Sequence, residues 1–148
     1  MYHLTVCLKK TETISMLSLF SVSQVQFTSQ YNGGVVIGYL GMSVNFTWTF
    51  TGDLRVAHWG TKRTDSLEIK DKLVSLNKNG PLSSIVPPPL YSGRVNGTWD
   101  GSSPGDLTFM LSSIRDDDGT IFLCEIESSD ILFGSVIDKV QLIVRGKC

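Results

Sequence analysis

The segment that decides the fold is DDDGTIFLC, residues 116–124. Three acidic residues followed by glycine are typical of a solvated turn, and the apolar residues after them alternate with their neighbours. Phe122, Cys124 and Ile126 fall on one face of a strand, because side chains two residues apart point the same way. Residues 109–114 carry a second apolar series upstream. The segment therefore predicts two strands joined by an acidic corner.

The bulk composition indicates one all-β domain. A chain of 148 residues fits a single core, and Val, Ile, Thr and aromatic residues dominate its apolar segments, with glycine between them. The formal net charge of −1 gives no reason to expect a nucleic-acid partner. No apolar run approaches the roughly 20 residues of a membrane-spanning helix. The three cysteines are too far apart in sequence to predict a zinc cluster.

The first segment, residues 1–23, has two interpretations. An apolar stretch at 14–22 follows Lys9 and Lys10, and small residues at 21 and 23 precede a possible cleavage point, as in a secretory signal peptide. Glu12 and several polar residues weaken that pattern, so a disordered N-terminus is the alternative.

Several strands follow from the alternation of apolar residues. The clearest is 43–50, in which Trp48 shares a face with other apolar side chains. Residues 25–29 predict the first strand, which 35–37 is expected to continue after a break. Trp59 lies in the next strand, eleven residues after Trp48. Later strands are predicted at 91–95, 106–112, 120–126 and 139–144.

These features together resemble a V-type (V-set) domain of the immunoglobulin superfamily. The match is carried by the acidic corner, by the aromatic residue two positions before Cys124, and by the spacing from Trp48 to Trp59. The resemblance implies a two-sheet antiparallel Greek-key sandwich over residues 24–146. One part of the family pattern is missing, because Trp48 stands where the first strand-B cysteine would be.

The resemblance also assigns structural roles. It implies an ion pair between Arg94 and Asp118 that ties the acidic corner to the neighbouring strand. Phe122 replaces the tyrosine that usually supplies a corner hydroxyl. The expected core contains five residues: Trp48, Trp59, Leu111, Phe122 and Cys124.

Cys124 has two interpretations. The first is a buried, inert thiol beside Trp48, whose burial offsets the missing disulfide. The second is a bridge to Cys148, which the position of Cys148 beyond the last strand disfavours. Residues 147–148 are interpreted as a tail or a truncated hinge, and Cys148 as a possible intermolecular thiol in a dimer.

No residue pattern predicts an enzyme, a cofactor or a metal site. His3 and His58 are the only histidines, and His58 is expected to be an ordinary surface residue. Residues 116–118 lack the spread of ligands that an EF-hand calcium loop requires.

The function implied by the resemblance is an extracellular recognition or adhesion module of the immune-receptor type. Its protein partner, homophilic or heterophilic, would bind the sheet formed by the family's strands G (residues 139–144), F (120–126), C (54–60) and the added strand C′ that follows C, together with the F–G loop, residues 127–135. In that loop, residues 131–133 either begin the next strand or form an apolar contact for a partner. The candidate partner-binding residues are Glu127, Asp130, Ile131, Leu132 and Phe133.

The alternative function is a soluble domain that binds glycans or microbes. It would need an exposed aromatic side chain, for which Trp99, in a predicted turn, is the candidate. Two N-glycosylation sequons begin at Asn45, on an outward strand position, and at Asn96, in a predicted turn. Together with the possible signal peptide, they favour a secreted or cell-surface location.

Overall fold

The structure is a computed structural model that describes residues 23–146. The predicted signal segment up to residue 22 and the tail with Cys148 lie outside the described residues. The described chain forms ten strands: β1 Gln26–Ser29, β2 Val35–Tyr39, β3 Val44–Thr51, β4 Leu54–Lys62, β5 Ile69–Asn77, β6 Gly80–Pro81, β7 Val95–Thr98, β8 Gly105–Leu111, β9 Ile121–Ser128 and β10 Ser135–Arg145. Two short 3₁₀ turns, η1 Asp116–Asp118 and η2 Ile131–Phe133, complete the element order.

The strands form two sheets that enclose one core. The four-stranded sheet has the order β1-β3-β8-β7, and the six-stranded sheet has the order β2-β10-β9-β4-β5-β6. Strands β3 and β8 are neighbours although four other strands lie between them in sequence, so the connections cross between sheets. The prediction of an all-β, two-sheet immunoglobulin-type sandwich is confirmed.

The first two strands lie in different sheets, so 35–37 does not continue the first strand as expected. Strand β1 pairs with β3, whereas β2 pairs in parallel with β10 in the other sheet. The chain changes sheets at Asn32 and Gly33, which both have positive φ (51° and 80°). A left-handed conformation at successive residues turns the backbone sharply, and glycine adopts it without steric cost.

Other strand boundaries also differ from the sequence prediction. Arg94 lies in a turn, and β7 begins at Val95, so Asn96 lies on a strand rather than in a turn. Strand β9 continues to Ser128, which places Glu127 on the strand and shortens the loop before β10 to residues 129–134. In both cases pairing with a neighbouring strand extends the ladder beyond the region of clear apolar alternation.

The core is dominated by aromatic side chains from both sheets. All five residues expected there are fully buried: Trp48, Trp59, Leu111, Phe122 and Cys124. Phe109 joins the two tryptophans, with ring centroids 6.1 Å from Trp48 and 5.5 Å from Trp59. Aromatic pairs at such separations contribute about 0.5–1.5 kcal/mol beyond the burial of their area.

A hydrogen bond crosses the core at Trp48, the position where the resemblance implied a cysteine. The indole Nε1 of Trp48, on β3, donates to Asp138 Oδ2, on β10 of the other sheet, at 2.7 Å. The Asp138 carboxylate also accepts from the backbone N–H groups of Tyr31 (2.7 Å) and Asn32 (3.0 Å). Asp138 is 4% exposed, so these three donors compensate the burial of its carboxylate.

The acidic corner is held by the pair that the resemblance implied. Arg94 Nη1 and Nη2 donate to Asp118 Oδ2 (2.7 Å) and Oδ1 (2.9 Å), while the same guanidinium donates to the carbonyls of Leu90 and Ser113. Burial alone would raise the pKa of Asp118, but the hydrogen bonds from Arg94 and from the Arg115 N–H outweigh it and lower that pKa. The Arg94–Asp118 ion pair therefore has a structural role, because it connects the acidic corner to the turn before β7.

Candidate functional site

The outer face of the six-stranded sheet brings together a group of polar side chains. Ala57, Trp59 and Cys124 belong to the core, so residues one position away on β4 and β9 point outward. His58 lies directly opposite Glu125 in the β4–β9 register. Because directly opposite residues share a face, these side chains meet on the surface that faces away from the core. We call this surface the outer face.

His58 is not the ordinary surface residue that was expected. It is only 7% exposed, and its Nδ1 lies 2.6 Å from Ser75 Oγ on the neighbouring β5. Its Nε2 lies 3.4 Å from Glu127 Oε2. Burial is the main cause that lowers the pKa of His58, and the positive charge of Lys72 adds to it. The side chains of adjacent strands cover the ring, which could not be read from the alternation within β4.

Arg55 is a residue of this face that the sequence did not indicate. Its guanidinium forms an ion pair with Glu127 Oε2 at 2.5 Å, and its side chain remains 61% exposed. The register of β4 against β9 shifts between Leu54 and Val56, which interrupts simple alternation at Arg55. The bulge is a property of strand pairing, and for this reason the sequence pattern alone did not reveal it.

The loop between β9 and β10 presents apolar side chains to solvent. Asp130 Oδ1 accepts the N–H of Leu132 at 2.9 Å and caps η2, and Gly134 (φ 69°) then returns the chain to β10. Ile131 is 90% exposed and Leu132 is 88% exposed. Phe133, at 37%, is partly covered. Of the two interpretations of this segment, burial at the start of the next strand is therefore wrong.

Two shallow grooves adjoin the Arg55–Glu127 pair on the outer face. The first, of about 470 Å³, lies towards η2 and is lined by residues that include Ile131 and Ser135. The second, of about 390 Å³, lies towards β5 and is lined by residues that include His58 and Lys72. The Arg55–Glu127 ion pair therefore lies between the η2 loop and the second groove on the outer face.

One group on this face has side chains that could ligate a metal ion. The ligand atoms of His58, Glu125 and Glu127 lie within 4.8 Å of one another. Glu127 is already paired with Arg55, and Glu125 Oε2 accepts a hydrogen bond from Ser135 Oγ at 3.1 Å. The carboxylates therefore have cationic or hydrogen-bonding partners from the chain itself.

Trp99 does not provide an exposed aromatic platform. It is 9% exposed, its Nε1 donates to the carbonyl of Ser102 at 2.9 Å, and its ring packs edge-on against Phe50. A residue placed in a turn by sequence is thus part of the core, because the turn folds over its indole. The glycan-binding alternative needed an exposed aromatic side chain, and the buried Trp99 does not provide one.

Comparison with solved structures places the fold among immunoglobulin domains. The structure of murine CRIg matches with a TM-score of 0.59 and 15% identity, covering 82% of this chain and 98% of that one. Domain 1 of VCBP3 from Branchiostoma floridae matches with a TM-score of 0.57 and 19% identity, covering 84% and 96%. The second Ig domain of the mouse polymeric immunoglobulin receptor matches at 0.53 and 15%, covering 77% and 97%.

No protein-family model and no curated protein matches the chain. At these identities the solved structures show the fold, which is that of an immunoglobulin V-type domain. Among residues 23–146, no helix has the length and apolar character that crossing a membrane requires.

Proposed function

We propose that this chain is an extracellular recognition module that binds a protein partner through the outer face and the η2 loop. The observation that carries the proposal is the exposure of Ile131 and Leu132 at the tip of a capped turn. Two adjacent aliphatic side chains with about nine-tenths of their surface in water lose stabilisation unless something covers them.

The surroundings of the turn support a protein partner rather than a small molecule. Both grooves beside the Arg55–Glu127 pair are open and shallow, whereas small-molecule sites enclose most of their ligand. An apolar centre with a charged rim is the usual arrangement of a protein interface. The neighbours of known structure include an immunoglobulin receptor domain, which is compatible with a receptor or adhesion role at the cell surface or in secretion.

The first experiment removes the apolar tip. A biotinylated domain, multimerised on labelled streptavidin, is applied to a panel of cell lines and read by flow cytometry. We expect the double substitution Ile131→Ser and Leu132→Ser to abolish staining without lowering the melting temperature, because both side chains lie in solvent. Sedimentation of the free domain tests for a second copy of the chain as the partner.

The matched control is Met42→Ser, which removes another exposed apolar side chain (54%), in the turn before β3 that bonds to Ile114 near the acidic corner. This variant should stain as the wild type does. Staining that survives the Ile131/Leu132 substitutions would contradict the proposal. Loss of staining after glycosidase treatment of the cells, but not after trypsin, would instead favour the glycan-binding alternative.

A further inference from the structure

The two N-glycosylation sequons lie side by side on the four-stranded sheet. Asn45 on β3 and Asn96 on β7 are each directly opposite Met110 of the intervening β8. Their hydroxyl residues, Thr47 and Thr98, are likewise each opposite Thr108. Directly opposite residues share a face and neighbouring strands lie about 4.8 Å apart, so the two asparagines are separated by roughly 10 Å.

Both asparagines point away from the core and are exposed. The Oδ1 atom of Asn96 accepts the N–H of Gly97 at 2.8 Å, which orients the amide, and its Nδ2 makes no hydrogen bond within residues 23–146. Thr47 and Thr98 are exposed residues as well, and Thr47 Oγ1 lies 3.3 Å from Thr108 Oγ1. The sequence contains two such triplets, and both fall on this one face, opposite to the outer face.

We propose that Asn45 and Asn96 both carry N-linked glycans that together cover the outer surface of the four-stranded sheet, leaving the six-stranded sheet as the glycan-free face. The donor would be a lipid diphosphate-linked oligosaccharide. A bond forms between asparagine Nδ2 and sugar C1, the C1–O bond to the diphosphate breaks, the lipid diphosphate leaves, and the amide proton passes to a base of the transferase. The proposal shares only the extracellular location with the proposed function.

The test expresses the full chain behind an added secretory leader in mammalian cells. The result then does not depend on whether the chain's own N-terminal segment acts as a signal peptide. Intact mass is measured before and after peptide N-glycanase, which converts each occupied asparagine to aspartate. We expect occupancy at both positions, loss of one glycan in Asn45→Gln or Asn96→Gln, and loss of both in the double variant. Thr98→Ser keeps the sequon and should keep its glycan.

The covering of the face is tested by the oxidation of methionine with peroxide. Met110 lies between the two asparagines, and free N-acetylmethionine added to the same reaction serves as the control for the oxidant. We expect Met110 to oxidise several-fold more slowly with glycans than after their removal, with the rate of the free N-acetylmethionine unchanged. A secreted, folded protein with no glycan, or with one site empty, would overturn the proposal. Equal oxidation rates at Met110 in the two forms would also overturn it.

The glycan measurement and the cell-staining measurement are independent of each other. A negative result for glycosylation can therefore be distinguished from a negative result for partner binding. Glycans on both asparagines, together with cell staining that the η2 substitutions do not change, would support the glycosylation proposal and contradict the proposed binding function. Binding lost on the η2 substitutions, with both asparagines unmodified, would do the reverse.

Discussion

Trp48 is the residue that supplies a polar contact between the two sheets inside the core. Its Nε1 donates a hydrogen bond to Asp138. The carboxylate that receives it is buried and also binds two backbone N–H groups at the point where the chain changes sheets. A directional polar contact therefore ties β3, β10 and the β1–β2 turn together.

The contribution of this hydrogen bond can be measured with two equivalent substitutions. Trp48 and Trp59 are both fully buried, but Trp59 Nε1 has no hydrogen-bond partner among the described residues. Both Trp→Phe changes remove the same volume, so their cavity costs are comparable. We expect Trp48→Phe to lower the free energy of unfolding by about 1.5–3 kcal/mol more than Trp59→Phe, as for a hydrogen bond to a charged group.

Urea unfolding of the two variants provides the measurement. Equal losses would show that the Trp48–Asp138 contact adds nothing to stability. As a second check, the difference between the two variants should become smaller when Asp138→Asn is introduced in both backgrounds, because the amide oxygen of asparagine is a neutral and weaker acceptor than the carboxylate.

His58 should make the stability of the domain depend on pH. Its folded-state pKa lies below the ordinary 6.5, because its ring is buried and Lys72 is near. The unfolded state therefore binds the proton first as the pH falls. The contribution of neutral His58 to the free energy of unfolding is fully present above pH 6.5, and it declines as the pH decreases through 6.5 towards the folded-state pKa. We expect His58→Asn to flatten this decline.

The measurement is the free energy of unfolding of both proteins at about pH 7.5 and about pH 5.5. The wild type should lose more stability between these two values than His58→Asn does. The same decline in both proteins would assign the pH dependence to other groups. A wild type that gains stability on acidification would mean that protonated His58 is stabilised by Glu125 and Glu127.

At the scale of elements, the 3₁₀ turn η1 and the turn before β7 depend on one ion pair. Arg94 Nη1 and Nη2 reach both oxygens of Asp118, and the guanidinium also satisfies backbone carbonyls of two loops. Asp118 is fully buried and also accepts the N–H of Arg115 at 2.8 Å. Removal of the carboxylate thus leaves a buried guanidinium and a backbone donor without an acceptor.

We expect Asp118→Ala to lower the free energy of unfolding by about 3–5 kcal/mol, the usual cost of leaving one partner of a buried pair uncompensated. The matched control is the exposed pair Arg63–Glu68 (3.4 Å), where Glu68→Ala should cost less than about 1 kcal/mol. Denaturant unfolding compares the two variants. Similar small losses in both would show that the corner is not held by this pair.

The elements around the candidate site could be predicted only in part. Alternation on β3 and β9 placed the core residues correctly, since a strand buried on one face repeats with period two. The polar group on the outer face could not be found in this way, because Arg55 lies at a bulge and His58 meets Ser75 and Glu127 only through pairing of three strands. Such contacts join residues that are distant in sequence.

At the scale of the whole molecule, the sandwich is held by packing without a disulfide between residues 23 and 146. Cys124 is fully buried and has no disulfide partner there. Burial raises the pKa of its thiol well above the ordinary value, with smaller contributions from Asp138 and Glu125. Because the thiolate is the reactive form, this cysteine should be inert while the domain is folded.

The corresponding prediction concerns reductant and thiol reagents. In a Cys7→Ser, Cys148→Ser background, the melting temperature should be the same with and without dithiothreitol, and a thiol reagent should modify Cys124 only after unfolding. The reason is that neither a bridge nor an accessible thiolate is present at Cys124. Rapid modification under native conditions would show that the core opens locally at β9.

Sequence by itself determined the all-β class, the acidic corner and three of the buried aromatic residues, Trp48, Trp59 and Phe122, because these depend on local alternation and turn chemistry. Tertiary structure decided that β1 and β2 lie in different sheets, that Trp48 reaches Asp138, and that Ile131 and Leu132 stay in solvent. The physical reason is the same in each case. Sheet membership, cross-sheet hydrogen bonds and loop exposure depend on which distant strands become neighbours, and one strand's periodicity contains no information about its partner.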